Sequence, residues 1–503
     1  MQVKTSLAEQ FGYIFNPRSV AIIGASNTFG TWGFGILNRV LASSVPRKIY
    51  PVNKNLSEIR GMKVYSSVTE IPDPVDFAVI AIPARHVPGV MQQCVEKGVK
   101  AAIVISSGFS EVDQQGAELE QEVVRIARQG GIRFVGPNCM GHFDAHSDFS
   151  TLGFIGRVRE GPIGFISQSG TFGTHMIRNG LEMGVGFSKF VGSGNEADLH
   201  LEDYVEYLAQ DEDTRVIAAY IEGLREGQRF FQLAKQITRK KPIVVLKSGK
   251  TRGGTRAAKS HTAALAGSDA VFDSMCKQAG IIRVKDDDEL FDVVVALLHL
   301  PLPAGRRVGV LTEGGGIGVV AADACEEAGL ELASFSPATF DKLNSILPDR
   351  WSHGNPVDTV AAEFVTLPCL WAILEDENVD AAMLIGGVGT AANLATLSRP
   401  PDWIKELLDK FIQEREEEEL KGLDTAIELM HKLRKPMVIT TLLTETIKST
   451  RIFKKLQENG LQIYPSPERA ARVLSHIAWY NEYLSSLPQA HPEVKLAQKQ
   501  GAV

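Results

Sequence analysis

Short apolar runs ending in glycine, serine or proline recur along this chain, and segments with helical spacing of apolar positions lie between them. That alternation admits few folds: strands buried on both faces with helical crossovers build parallel α/β sheets. The first series is SVAIIGAS, KIYPVN, DFAVIAIP, AAIVISSG and IRFVGPN, with VMQQCVEKG and LEQEVVRIARQ as helical segments. A polar passage, DAHSDFSTL, separates it from PIGFISQSG, FSKFVGSGNEAD, RVIAAYIEG, KPIVVLKSGK and GIIRV. The helical LFDVVVALLHL and the linker PLPAG close this second series. A third comprises RVGVLTEGGGIG, LELASFS, NPVDTV, VDAAMLIGG, KPMVITT and LQIYPS. The layer pattern repeats without a repeat of sequence. The expected organisation is three α/β domains over residues 1–147, 148–303 and 304–485, followed by a loose tail, 486–503. Within the third, KELLDKFIQEREEEELKGLD reads as an exposed, charged helical excursion whose acidic run is a solvated face.

Composition narrows the function classes. A net charge of −7 argues against nucleic acid or an anionic membrane as the main partner. Cys94, Cys139, Cys276, Cys325 and Cys369 are scattered, with no CxxC pair and no histidines at ligand spacing, so free thiols are expected and a metal site is not. No run approaches the roughly 18 apolar residues of a membrane span. The start, MQVKTSLAEQFGYIF, lacks the apolar core and cleavage site of a secretory leader, so the chain reads as cytoplasmic.

Two strand-to-helix turns suit anionic ligands. In AIIGASNTFGTWGFG, glycines 24, 30 and 33 open a helix whose amides and dipole favour phosphate. The spacing is not GxGxxG, and the second strand ends in PVNK, where Lys54 replaces the acidic ribose ligand of an NAD site. A phosphorylated adenosine therefore fits better than NAD. In FISQSGTFGTHMI, Ser167, Ser169, Gly170 and Thr171 offer hydroxyls and amides to one oxyanion. A nucleophile elbow would need glycine at Ser167 and Thr171, and phosphate binding is the better reading. TEGGGIG repeats the device, but Glu313 beside it disfavours a dianion.

His261 follows a basic, glycine-containing run (Lys250, Arg252, Arg256, Lys259). Such cations draw in phosphate or an acyl phosphate, and they lower the imidazole pKa so that the neutral nucleophile is present. A phosphorylated imidazole passes its group on readily, and a carboxylate is needed to orient the other ring nitrogen. Glu222, at the end of RVIAAYIEG, is at the sheet edge that can supply it.

SVAIIGAS, KIYPVN, ISSGFSE, VGPNCMG, SQSGTFG, GSGNEAD, YIEG, SHTAALAGSDAVFD, GGGIGVVAADA and GNPVDTV, in this order, resemble the α subunits of ADP-forming (NDP-forming) acyl-CoA synthetases, relatives of succinyl-CoA synthetase. The resemblance runs from about Pro17 to about Leu484. It implies a Rossmann-like CoA-binding domain followed by two flavodoxin-like ligase domains. It implies the reaction acyl-CoA + ADP + phosphate ⇌ carboxylic acid + CoA + ATP, through an acyl phosphate and a phosphohistidine. The phosphorylated histidine falls on His261, its glutamate on Glu222, and the phosphate-binding helix start on SQSGTFG. Coenzyme A contacts fall on Gly24, Ala25, Ser26, Lys54, Pro83, Ser106, Ser107, Gly108, Asn138 and Cys139.

The family's nucleotide site is an ATP-grasp domain, and no such domain is recognised here. The expectation is therefore a separate ATP-grasp β subunit in an α2β2 assembly, carrying ADP or ATP with Mg2+. Competing readings are a CoA-binding sensor or scaffold without turnover, an NAD-dependent oxidoreductase and a serine hydrolase. The paired His261 and Glu222 speak against the first, and the missing acidic ribose ligand against the second.

Overall fold

The computed structural model describes residues 6–254, 256, 268–360, 365–389, 401–441, 447–448 and 450–488, the side chain of residue 402 excepted. His261 and Lys259 lie outside the described residues, as does the tail beyond residue 488. The chain forms two compact units, Met1–Asp287 and Asp288–Val503.

Among the described residues, the first unit contains two large sheets and a two-stranded antiparallel hairpin, Glu58–Ile59 with Met62–Lys63. Strands β1 (Ser19–Ile23), β2 (Lys48–Val52), β3 (Phe77–Ile80), β4 (Ala101–Val104) and β5 (Arg133–Val135) are all parallel, in the order β2-β1-β3-β4-β5. Every residue of β1, β3 and β4 is buried, which is why these strands read as unbroken apolar runs rather than alternating ones. Helix α1 (Leu7–Phe15) starts where the Ser6 hydroxyl accepts from the Glu9 amide at 3.2 Å. It buries Phe11 and Phe15, both of which stack on Tyr207. Helix α2 (Trp32–Leu41) follows β1 and is capped by Thr31, whose Oγ1 accepts from the Phe34 amide at 3.3 Å.

The second sheet comprises β6 (Gly141–Asp144), β7 (Phe149–Ser150), β8 (Glu160–Ser167), β9 (Phe187–Gly192), β10 (Val216–Ile221), β11 (Ile243–Lys247) and β12 (Ile282–Val284). Its order is β12-β11-β10-β8-β9-β6-β7. The pair β6–β7 adds antiparallel to β9, so DAHSDFSTL is sheet and tight turn rather than a separating passage. Its polarity misleads because the polar groups are satisfied inside: the Asp144 carboxylate accepts from the Ser147 amide at 3.0 Å, and Asp148 accepts from Arg39 and Ser44. Helix α3 (Gly170–Glu182) follows β8, α4 (Leu201–Gln210) follows β9, and α5 (Asp269–Ala279) precedes β12.

The second unit carries β13 (Arg307–Thr312), β14 (Glu331–Leu332), β15 (Val357–Asp358), β16 (Ala381–Ile385), β17 (Met437–Thr440) and β18 (Ile463–Tyr464). The path is β14-β13-β16-β17-β18, with β15 pairing β13. Helix α6 (Gly315–Glu327) opens from the glycine run after β13. The acidic run lies in the helix α7 (Asp402–Leu433), and it is not solvated throughout. Glu419 is buried and accepts from the Gly389 amide at 3.2 Å, and Leu423, Ala426 and Met430 continue the buried stripe. The alternation of exposed and buried positions over one helical turn explains why a charge count alone read it as an outer face.

Numbering only its own parallel strands, each of the first two sheets has the order 2-1-3-4-5, and the third follows the same path as 2-1-4-5-6, with its short third strand pairing the first. In each, the chain reverses direction across the sheet beside its first strand, which leaves a crevice at the carboxyl ends of two adjacent strands. The fold is α/β throughout, built of doubly wound parallel sheets.

Candidate active site at two switch points

In the first sheet the crevice lies where β1 and β3 end. Gly24 sits there at φ +93, and a Cβ on it would fall 2.3 Å from the Ala81 carbonyl oxygen, so only glycine lets the two strand ends meet. The crevice opens into a cleft of about 680 Å³. Gly24, Ser26, Pro83, Ser106, Ser107, Asn138 and Cys139 line it, together with Ser169, Gly170 and Thr171. One cavity thus joins most residues expected at CoA to the turn expected at phosphate.

Several of these residues hold the walls rather than present a group to a ligand. The Ser106 hydroxyl donates to the Ile82 carbonyl at 2.5 Å and accepts from the Ile82 amide. Cys139 donates to the Val104 carbonyl, and burial pushes its thiol up to about 12, so it is packing and not a nucleophile. Asn138, at φ 55, donates from Nδ2 to Asn195 Oδ1 at 3.2 Å.

Four expected residues stand off the cleft wall. Ala25 is fully buried, and its carbonyl accepts from Asn53 Nδ2 at 2.8 Å. Lys54 is exposed beyond the end of β2. The Gly108 amide is turned into the Glu111 carboxylate at 2.6 Å. Ser167 is fully buried and donates to the Ser169 carbonyl at 2.6 Å, which shapes the turn from within.

The second sheet reverses between β8 and β10. Ser169 caps α3, its Oγ accepting from the Phe172 amide at 3.4 Å. The amides of Gly170 and Thr171 belong to the helix's first turn, which has no intrahelical acceptor for them. They carry the positive end of the helix dipole toward the cleft. Across the crevice, Glu222 follows β10 and is 8% exposed. Gln168 binds the two sides: its Oε1 accepts from the amides of Glu222 (2.5 Å) and Gly223 (3.0 Å), and its Nε2 donates to the Gly223 carbonyl at 2.7 Å. Lys247, at the end of β11, donates to the Glu222 carbonyl at 2.8 Å. Burial pulls the Lys247 ammonium below the usual lysine range, against Asp269 and Glu222, which favour its charge.

Helix α5 is capped at Ser268, so of the two helix starts expected after His261 the described one is at Ser268. Of the basic run, Lys250 donates to the carbonyls of Lys285 (2.9 Å) and Val284, while Arg252 is exposed. Gln168, Asn195, Lys247 and Trp32 contribute to the two crevices without having been singled out from the sequence. Gln168 stood inside the quoted FISQSGTFGTHMI, and its place as the first residue past a strand was the available signal.

In the second unit, Glu313 occupies the equivalent crevice, close enough to Gly386 that a Cβ there would meet its carboxylate at 2.7 Å. Among the described residues, no helix is long and apolar enough to cross a membrane.

Comparison with known proteins places this geometry. The family described as "CoA binding domain" matches residues 18–143, and "Succinyl-CoA ligase like flavodoxin domain" matches residues 160–297. The chain is 36% identical to the acetate–CoA ligase [ADP-forming] II subunit alpha of Pyrococcus furiosus, over 91% of this chain and 95% of that one. It is 43% identical to the acetate–CoA ligase [ADP-forming] II of Archaeoglobus fulgidus over 74% of this chain, but spans only 56% of that longer relative. Among solved structures it is similar to the dinucleotide forming acetyl-coenzyme A synthetase 1 of Ca. Korarchaeum cryptofilum, solved in its apo form and in complex with phosphate and ADP. The apo form superposes with a TM-score of 0.80 at 32% identity, over 94% of this chain and 98% of that one. A CoA-domain crevice facing a helix start suited to phosphate, with near-complete coverage by subunits of one kind, leads to one assignment: the chain belongs to the α subunits of the ADP-forming acyl-CoA synthetases, acid–thiol ligases of the succinyl-CoA ligase-like class.

Proposed function

We propose that this chain carries the thioester and phosphohistidine half of the acyl-CoA synthetase reaction, with His261 as the phosphoryl carrier and Glu222 as the carboxylate that orients it. The observation that carries this reading is the second switch point, where a helix start suited to phosphate and the backbone of Glu222 lie at adjacent strand ends and are tied together by Gln168. CoA lies along the Gly24, Pro83 and Asn138 walls, so that its thioester reaches the Ser169–Thr171 turn.

Phosphate held at that turn attacks the thioester carbonyl; a C–O bond to phosphate forms, the C–S bond breaks, and the CoA thiolate takes a proton. The neutral imidazole of His261 then attacks the acyl phosphate; a P–N bond forms, the P–O bond breaks, and the carboxylate departs. Helix-start amides offset the charge on the transferring group without reorganising. The phosphoryl group passes next to ADP with Mg2+ on an ATP-grasp β subunit, in a cytoplasmic α2β2 assembly. Acetyl-CoA is the first substrate to try, since several relatives are named for acetate.

The test is phosphoenzyme formation by the isolated chain given acetyl-CoA and labelled inorganic phosphate. Acid-labile, base-stable label on the wild type and none on His261→Asn is the expected result. Equal labelling of His261→Asn removes the assignment, and Glu222→Gln labelled at the wild-type rate removes the role given to Glu222.

A further inference from the structure

Gln168 has one hydrogen-bonding partner that the reaction scheme leaves unused. Its Nε2 also donates, at 3.0 Å, to Oε2 of Glu196, a residue 3% exposed in the turn after β9. We propose that Glu196 is a positioning residue of phosphoryl transfer: through the Gln168 amide it holds the backbone that carries Glu222. The inference rests on the role proposed for Glu222.

The valence of the amide is the first argument. A glutamine side chain has two N–H donors and two acceptor lone pairs. Here Oε1 takes two amides, Glu222 and Gly223, and Nε2 gives to Gly223 O and to Glu196. Every site is filled, so the orientation of the amide is decided by its partners. Without an acceptor at residue 196, one buried N–H loses its partner, and the Gln168 side chain gains a reason to turn away. The amides of Glu222 and Gly223 would lose their acceptor with it.

The second argument is how firmly Glu196 itself is held. Its Oε1 accepts from the Ser193 hydroxyl at 2.7 Å, and the Ser193 amide donates to the Ser167 carbonyl at 2.9 Å, so both ends of the carboxylate connect to the strand end that precedes the phosphate turn. Glu196 adopts φ 53, a left-handed conformation that is strained for a non-glycine residue. Glycine would avoid the strain, so the side chain has a use that offsets it. The preceding residue, Asn195, lines the cleft and donates to Glu111 (2.6 Å) and Glu120 (2.9 Å) of the CoA-binding domain. One turn therefore faces the CoA cleft with Asn195 and the Glu222 backbone with Glu196.

Glu196 is not among the cleft-lining residues and acts only through Gln168. Burial pushes its carboxyl up to about 7, opposed by the hydrogen bonds from Ser193 and Gln168, so an uncharged isostere is the conservative replacement. A glutamine there can still accept from Gln168 and pair with Ser193.

The experiment measures the rate constant of phosphoenzyme formation with acetyl-CoA and labelled phosphate, and CoA affinity by calorimetry, on the full chain. Glu196→Ala is expected to slow labelling by about tenfold or more, as a misplaced orienting group does, with CoA affinity unchanged. Glu196→Gln is expected to recover most of the rate, and Gln168→Ala to lose as much as the double variant, since the two act as one unit. Labelling of Glu196→Ala at the wild-type rate overturns the proposal, as does Glu196→Gln falling as far as alanine, or additive losses in the double variant. If Glu196→Ala does not fold, Glu196→Gln and Gln168→Ala carry the same decision. Were His261→Asn to label normally, the underlying scheme would fail instead, and that outcome is distinct from all of these.

Discussion

Gly33, in the first turn of α2, stands against Gly24 at the end of β1: a Cβ on Gly33 would lie 1.9 Å from the Gly24 carbonyl oxygen. No rotamer relieves a clash with backbone, so Gly33→Ala must push the helix start off the strand end. Overpacking of this kind costs about 1–3 kcal/mol. The same shift moves the wall of the cleft proposed for CoA, and a loss of about 1.4 kcal/mol there would weaken binding tenfold. Calorimetric titration with CoA and urea unfolding check both. Gly12→Ala in α1 is the control: nothing lies within 4 Å of its Cβ, and replacing a helical glycine is expected to stabilise by about 0.5–1 kcal/mol.

Asp198 ties the last strand of the first sheet to the turn that carries Glu196. Its carboxylate accepts from Arg133 Nε (2.8 Å), Arg128 Nε (3.1 Å) and the Phe134 amide (3.0 Å), and its side chain has no exposed surface. Asp198→Ala leaves a buried amide without its acceptor and is expected to cost about 2–4 kcal/mol. Arg128, 56% exposed, is the contrast; Arg128→Ala should cost less than about 1 kcal/mol. Urea unfolding of the two variants separates a buried acceptor from an exposed donor.

His142 gives the fold an acid limit. Its Nε2–H donates to the Ile14 carbonyl at 2.8 Å, Nδ1 accepts from Thr151 Oγ1, and the ring lies edge-on to Phe15, Phe77 and Phe149. Burial pushes its pKa down to about 4. Between about pH 6.5 and 4 the unfolded chain binds a proton that the folded chain does not, so stability is full above this window and falls with pH inside it. The loss is expected to reach about 3 kcal/mol. His142→Phe should remove that part of the slope, so its deficit against the wild type at about pH 7 narrows by about pH 4.5. A gap in urea midpoint that widens with acid would contradict this.

Strand ends and glycine turns were legible because period and punctuation are local. SVAIIGAS, PIGFISQSG and RVGVLTEGGG are continuous apolar strands, and all three became central strands beside a switch point. The DAHSDFSTL strand was not legible, since its polarity is satisfied by Arg39 and Lys189, more than 40 residues away in sequence. At the candidate site, residue types were readable but their direction was not. Ser167 and Ser169 look alike in sequence, yet one hydroxyl turns inward to a carbonyl and the other caps a helix. Gln168 is invisible to motif reading because its role is to join two strand ends that are 54 residues apart.

Lys247 offers the sharpest separation of chemistry from binding. Its ammonium donates to the carbonyls of Glu222 (2.8 Å) and Ser248 (2.5 Å), on the side of Glu222 opposite to Gln168, and it does not line the CoA cleft. Lys247→Met keeps an unbranched apolar stem but removes both donors and the ammonium that lies 6.0 Å from the Phe272 ring centroid, leaving the Glu222 carbonyl without this partner. The expected cost in stability is about 1–2 kcal/mol. Because the lost contact fixes the backbone of Glu222, the carboxylate proposed to orient His261, phosphoenzyme formation should slow by about tenfold while CoA affinity holds within about twofold. Equal loss of CoA affinity and labelling rate in Lys247→Met would show instead that this lysine supports the whole sheet edge and not the position of Glu222.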